Sequence, residues 1–132
     1  MSLGIEGFDH LTVIVTDMAH ARAFYGGILG LQEIGRPKSF DFQAVWYQIG
    51  DRQLHLLVKP APDTVGQRHF ALRVADVSAA RKQCIAQGLP TAETTLIPGA
   101  DRFFIRDPDG NRIEIIRWNV PYDPARDGVL DS

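Results

Sequence analysis

Arg68-His69-Phe70-Ala71-Leu72-Arg73-Val74-Ala75-Asp76 restates, at an offset of 59 residues, Asp9-His10-Leu11-Thr12-Val13-Ile14-Val15-Thr16-Asp17. The offset sets His10 on His69, Val15 on Val74, Asp17 on Asp76 and Arg22 on Arg81, so several unlike residue types fix one register and the chain reads as a tandem repeat. Carried to the far end of each half, it sets His55 on Glu114. Three histidines and a glutamate thus hold two pairs of equivalent positions, and these are side chains that bind divalent ions.

Around that stretch the periodicity predicts one order of elements twice. Residues 8–16 run apolar and β-branched as a strand with one face on a core. Asp17 is the N-cap of a helix over 18–29, with Ala21, Phe24, Tyr25, Ile28 and Leu29 inward and Gly30 closing it. Residues 31–36 start a strand that Pro37 breaks, and 44–50 and 52–59 are two strands joined by a tight turn at Gly50-Asp51. After the proline-rich link 60–66 the order begins again. A strand over 69–75 leads to Asp76 as N-cap, a helix over 77–87 and Gly88 as its end. Strands follow over 91–97, 102–106 and 112–118, the last two flanking the turn Asp107-Pro108-Asp109-Gly110-Asn111. Residues 119–132 show no periodicity and are expected to lie extended over the surface or a partner subunit.

Alternation along each strand assigns faces. With Leu11, Val13 and Val15 under the helix, His10 points to the opposite side; the same parity sends His55, His69 and Glu114 there. Arg73 and Arg112 alternate in phase with His69 and Glu114, as Arg102 and Phe104 do if Phe103 and Ile105 lie under the helix. Arginines on that face suit an anionic substrate. A lone strand histidine is more often a hydrogen-bonded residue than a ligand, but four candidates sharing a face at repeat-equivalent positions favour metal. His20, matched by Ala79, reads as a solvated helix residue and Cys84 as packing. The turn 107–111 lacks the oxygen ligands of a calcium loop.

The 132 residues are enough for one domain. With 45% apolar and 23% charged residues and a net charge of -2, nothing points to nucleic acid or an anionic membrane. One cysteine excludes an intramolecular disulfide, and no apolar run reaches the length of a membrane span. Residues 1–7 carry neither a basic cluster nor an apolar core, so the expected compartment is the cytoplasm.

The sequence resembles the vicinal oxygen chelate superfamily, which includes glyoxalase I, fosfomycin-resistance thiol transferases, methylmalonyl-CoA epimerase, extradiol dioxygenases and bleomycin-resistance proteins. The resemblance rests on Asp9-His10-Leu11-Thr12-Val13, Phe24-Tyr25, Leu29-Gly30-Leu31, Arg68-His69-Phe70-Ala71-Leu72, and the run from Phe104 to Glu114. It implies an α+β fold: one glyoxalase-like domain of two tandem βαβββ modules, about 7–59 and 67–118, forming a curled mixed sheet around a metal-binding cup, followed by the tail. It also implies a divalent ion (Ni, Zn, Co, Mn or Fe) on His10, His55, His69 and Glu114, and a homodimer with the tail near its interface. His55 departs from the better-known relatives: glyoxalase I places a glutamate there, the epimerase a glutamine, and the fosfomycin enzymes no ligand.

The activity implied first is a glyoxalase I-like lyase or isomerase, acting on a small vicinal-oxygen substrate through an enediolate-type intermediate. Glu114 would double as general base, and Arg73, Arg102, Phe104 and Tyr47 would bind substrate. Two alternatives stay open: an Fe(II) extradiol dioxygenase, favoured by the His10, His69 and Glu114 trio, and a non-catalytic bleomycin-resistance-type protein holding an aromatic ligand between Tyr47, Trp46 and Phe104.

Overall fold

The computed structural model describes residues 3–64 and 66–131; Met1, Ser2, Val65, in the expected link, and Ser132, in the expected tail, lie outside them. The chain is α+β and divides into two compact units. The first runs to Arg68 and adds Asp107–Asn111; the second comprises His69–Arg106 and the residues from Arg112 onward.

Unit 1 is built from β1 (His10–Val15), α1 (Met18–Arg22), a π-helical segment (Ala23–Ile28), β2 (Gln32–Ile34), β3 (Ala44–Ile49) and β4 (Arg52–Val58). Its four strands form a mixed sheet in the order β1-β4-β3-β2, with β1 parallel to β4 and the other pairs antiparallel. Asp17 caps α1 as expected, its carboxylate accepting from the His20 amide at 2.8 Å. The helix expected over 18–29 changes character at Ala23, where Leu29 N donates to Phe24 O at 2.9 Å, a π-type bond. The Gly26-Gly27 pair offers no side chains to resist the wider turn, and Phe24 and Tyr25 both become buried beneath it with Tyr47, Leu54 and Leu56. Gly30 ends the segment at φ +71, a conformation glycine adopts without a Cβ penalty.

The loop Asp107–Asn111 packs as part of this unit, on one buried carboxylate. Asp107 Oδ2 accepts from the Tyr25 hydroxyl at 2.7 Å and from Asn111 Nδ2 at 2.8 Å, while Oδ1 accepts from the amides of Asp109 and Asn111. Asn111 Nδ2 also donates to Ile14 O, and Asp109 accepts from both the amide and hydroxyl of Thr16. Burial and the neighbouring Asp107 carboxylate push the Tyr25 phenol well above its ordinary range, so it stays a donor. The motif is a structural clamp.

Unit 2 contains β5 (His69–Arg73), α2 (Val77–Ala86), β6 (Ala100–Arg106) and β7 (Arg112–Trp118), with α3 (Pro124–Asp127) in the tail. Its sheet runs β5-β7-β6, with β5 parallel and β6 antiparallel to β7. Val77 and Cys84 of α2 are buried, as are Phe103, Ile105, Ile113 and Ile115. Two expectations change here. The strand over 91–97 reduces to a bridge between Ala92 and Phe104, since Pro90 and Pro98 bracket it, Leu96 is exposed and Thr95 O is taken by a side chain of Arg102. The tail, expected without regular structure, makes one helical turn capped by Asp123, whose carboxylate accepts from the Ala125 amide. Among the described residues no helix is long and apolar enough to cross a membrane.

Candidate functional site

Each unit brings together the two donors its repeat contributes. In unit 1, Thr12 pairs with His55 and His55 with Trp46, so His10, His55 and Trp46 stand on the sheet face away from the helix. The imidazoles of His10 and His55 stack at 4.0 Å between centroids, and the Trp46 indole lies on the other side of His55 at 3.5 Å, nearly parallel. Phe40 abuts Trp46 edge-on and stacks on Phe42. Hydrogen bonds orient both rings, His10 Nδ1 to Asp9 at 2.7 Å and His55 Nε2 to Gln53 at 2.8 Å. Burial first, and then the nearby His10, hold the His55 imidazole below its ordinary pKa, which keeps it neutral and available to a cation.

In unit 2, Ala71 pairs with Glu114 and Glu114 with Phe104, which puts His69, Glu114, Phe104, Arg73, Arg102 and Arg112 on one face. His69 Nε2 lies 3.1 Å from Glu114 Oε1, and Arg102 Nη1 lies 3.5 Å from Glu114 Oε2. The second Arg102 terminal nitrogen donates to Thr95 O at 2.6 Å. Phe104 meets His69 edge-on, and the Arg112 guanidinium lies over the Phe104 ring at 3.6 Å. Glu114 is buried although ionisable, compensated by these cationic and imidazole neighbours.

The expected parity therefore holds for His10, His55, His69, Glu114, Arg73, Arg102 and Phe104. Tyr47 is the exception. It pairs with Leu54 and Glu33, faces the helix and is fully buried, and its hydroxyl finds no hydrogen-bond partner among the described residues. Burial raises its pKa, and it belongs to the core. A two-residue turn at Gly50-Asp51 makes residues equidistant from it partners, which sets Trp46 opposite His55; that signal was present in the sequence. Gln53 and Asp9, the hydrogen-bond partners of the two histidines, carried no such signal.

Three imidazoles and a carboxylate suit a borderline divalent ion. Each unit supplies two of them. Among the described residues no group of three or more His, Cys, Asp or Glu side chains is placed to hold a metal ion.

Residues 7–115 match the family model of the Glyoxalase/Bleomycin resistance protein/Dioxygenase superfamily. A solved structure of a protein assigned to the glyoxalase family in Bacillus anthracis superposes with a TM-score of 0.81 at 30% identity, covering 88% of this chain and 98% of that one. The protein YaeR of Escherichia coli K12 is 29% identical over 125 residues, 86% of this chain and 97% of its own length. Glyoxylase I 4 of Arabidopsis thaliana is 25% identical over 124 residues, 86% of this chain and 71% of its own.

Proposed function

The chain belongs to the Glyoxalase/Bleomycin resistance protein/Dioxygenase superfamily, and from that premise we propose that it is a metal-dependent lyase or isomerase of glyoxalase I type acting on a small substrate with vicinal oxygens. The observation that supports this reading is the equivalence of the donor pairs: His10 with His55, and His69 with Glu114, occupy matching register positions in two sheets. A divalent ion held by His10, His55, His69 and Glu114 would supply Lewis-acid polarisation of substrate oxygens. The residues do the rest. His10 and His55 present imidazoles whose orientation Asp9 and Gln53 fix. Glu114 Oε1 takes the proton from the carbon bearing one oxygen and delivers it to the neighbouring carbon, with His69 beside it to steady the carboxyl. Phe104 and Trp46 flank the two donor pairs with apolar surface that limits water.

We propose further that the protein acts as a homodimer, because β1 and β5 are edge strands of their own sheets and unpaired edges favour pairing with another chain. Plasma emission spectroscopy of the purified protein is expected to find stoichiometric divalent metal, and light scattering the mass of two chains. His69→Ala and His10→Ala should each lose the metal while keeping their circular dichroism; full metal content in His69→Ala would overturn the assignment. A second reading draws on the ring series Phe42, Phe40, Trp46, His55 and His10, which suits a planar ligand held without turnover. A protein that binds planar aromatics but holds no metal would favour it.

A further inference from the structure

The two repeats act as controls for each other. On the donor face unit 2 carries Arg73, Arg102, Arg106 and Arg112, where the pairing pattern puts Ile14, Ala44, Gln48 and Gln53 in unit 1. Packing does not demand this substitution, since the first repeat builds the same pairing from apolar and amide residues. Arg106 stands directly opposite Arg112 on this face. Glu114 is the one carboxylate among the strand residues of that face.

We propose that this face of unit 2 seats a phosphate-monoester-type dianion carried by the substrate. Arg102 is the centre of the seat. Its side chain is only 16% exposed, and its buried Nε–H has no hydrogen-bond partner among the described residues. A buried guanidinium donor left unmade is costly, and an oxyanion is the acceptor it best fits. The Arg112 guanidinium lies over the Phe104 ring, and Ala71 is the smallest residue of the Glu114 and Phe104 rung. Arg73 stands beside Arg102 across Ile116, exposed, with no hydrogen bond or ion pair among the described residues. Several forked donors on one sheet face suit a tetrahedral dianion better than a single carboxylate.

The seat deepens the proposed function, on which its link to metal rests. Glu114 touches both His69 and Arg102 in the metal-free arrangement. Drawing Glu114 onto an ion takes from Arg102 its one carboxylate, and the substrate dianion replaces it. Metal and dianion therefore strengthen each other's binding, by the same factor in both directions.

Calorimetric titration of the full-length protein, with and without Ni(II), tests this with glycerol 3-phosphate as probe, acetate as monoanion and glycerol as neutral counterpart. Glycerol 3-phosphate is expected to bind at least about tenfold more tightly than acetate, glycerol not at all, and Ni(II) to tighten the phosphate ester further. Arg102→Gln, Arg73→Gln and Arg112→Gln should each weaken the ester about tenfold. Arg117→Gln, which removes an equal charge from the opposite face of β7, should not. If Arg102→Gln fails to fold, the exposed Arg73 carries the test alone. Equal weakening by Arg117→Gln, or acetate binding as well as the ester, overturns the seat. The two readings fail separately. Metal-loaded protein with no preference for the ester overturns the seat and leaves the proposed function standing, whereas ester binding that depends on these arginines in a protein that takes up no metal does the reverse.

Discussion

The rung that carries the last-strand donor runs Thr12, His55, Trp46 in unit 1 and Ala71, Glu114, Phe104 in unit 2. In the first, an indole and a second imidazole sandwich the His55 ring, and apart from His10 the flanking rungs are apolar or amide. In the second, a carboxylate sits between an imidazole and a guanidinium, and the flanking rungs carry four arginines. The repeated backbone fixes where a donor stands, while the residues around it on the same face fix its surroundings. The hairpin turns differ as well. Unit 1 closes with Gly50 and Asp51, whereas the strands of unit 2 are joined by Asp107–Asn111, which packs into the core of unit 1 through Tyr25, Thr16 and Ile14.

The turns give the largest expected effect. Asp107→Ala strands the Tyr25 hydroxyl, the Asn111 amide and two backbone N–H groups, and should cost roughly 3–5 kcal/mol in urea-induced unfolding. Asp51→Ala, in the exposed turn with only a surface pair to Arg52, should change stability by less than about 0.5 kcal/mol. Similar values for the two would erase the distinction between clamp and simple turn.

A second substitution makes the donor rungs alike. With a histidine in place of a second carboxylate, the native protein is expected to isomerise the methylglyoxal–glutathione adduct slowly. His55→Glu, which adds a second base, should raise kcat/KM about tenfold with metal retained. Rapid native turnover that falls in His55→Glu would mean that the asymmetry of the two pairs serves this reaction after all.

The smallest effect isolates the indole. Because burial disfavours the charged imidazolium, His55 of the metal-free protein should titrate below free histidine in a ring-proton NMR titration. Trp46→Leu uncovers one face of the ring and should move that midpoint up. An unchanged midpoint would show that the indole is not what lowers it.

Much of this arrangement was legible in the chain. The 59-residue offset paired His10 with His69 and His55 with Glu114, and strand parity sent Arg102 and Phe104 to the face of Glu114. Both expected helix caps, Asp17 and Asp76, accept the backbone N–H three residues on. Hairpin parity about Gly50-Asp51 sends Tyr47 to the buried side of the sheet, away from a substrate-binding role, and that is legible in the sequence. The change to a π-helix at Ala23 is not. It depends on what the wider turn buries, and Tyr25 finds its acceptor 82 residues away.

What the sequence determined by itself is the doubled order of elements and the face each donor occupies, because strand and helix periods are set by backbone geometry within a few residues. Only the tertiary structure decided that the turn after β6 belongs to unit 1, that residues 91–97 make one bridge, and that Glu114 is shared between His69 and Arg102. A local period says which way a side chain points. The partner it meets there, and so its charge and its burial, comes from residues up to 97 positions distant, as for Asn111 on Ile14, and is settled only when the chain has closed on itself.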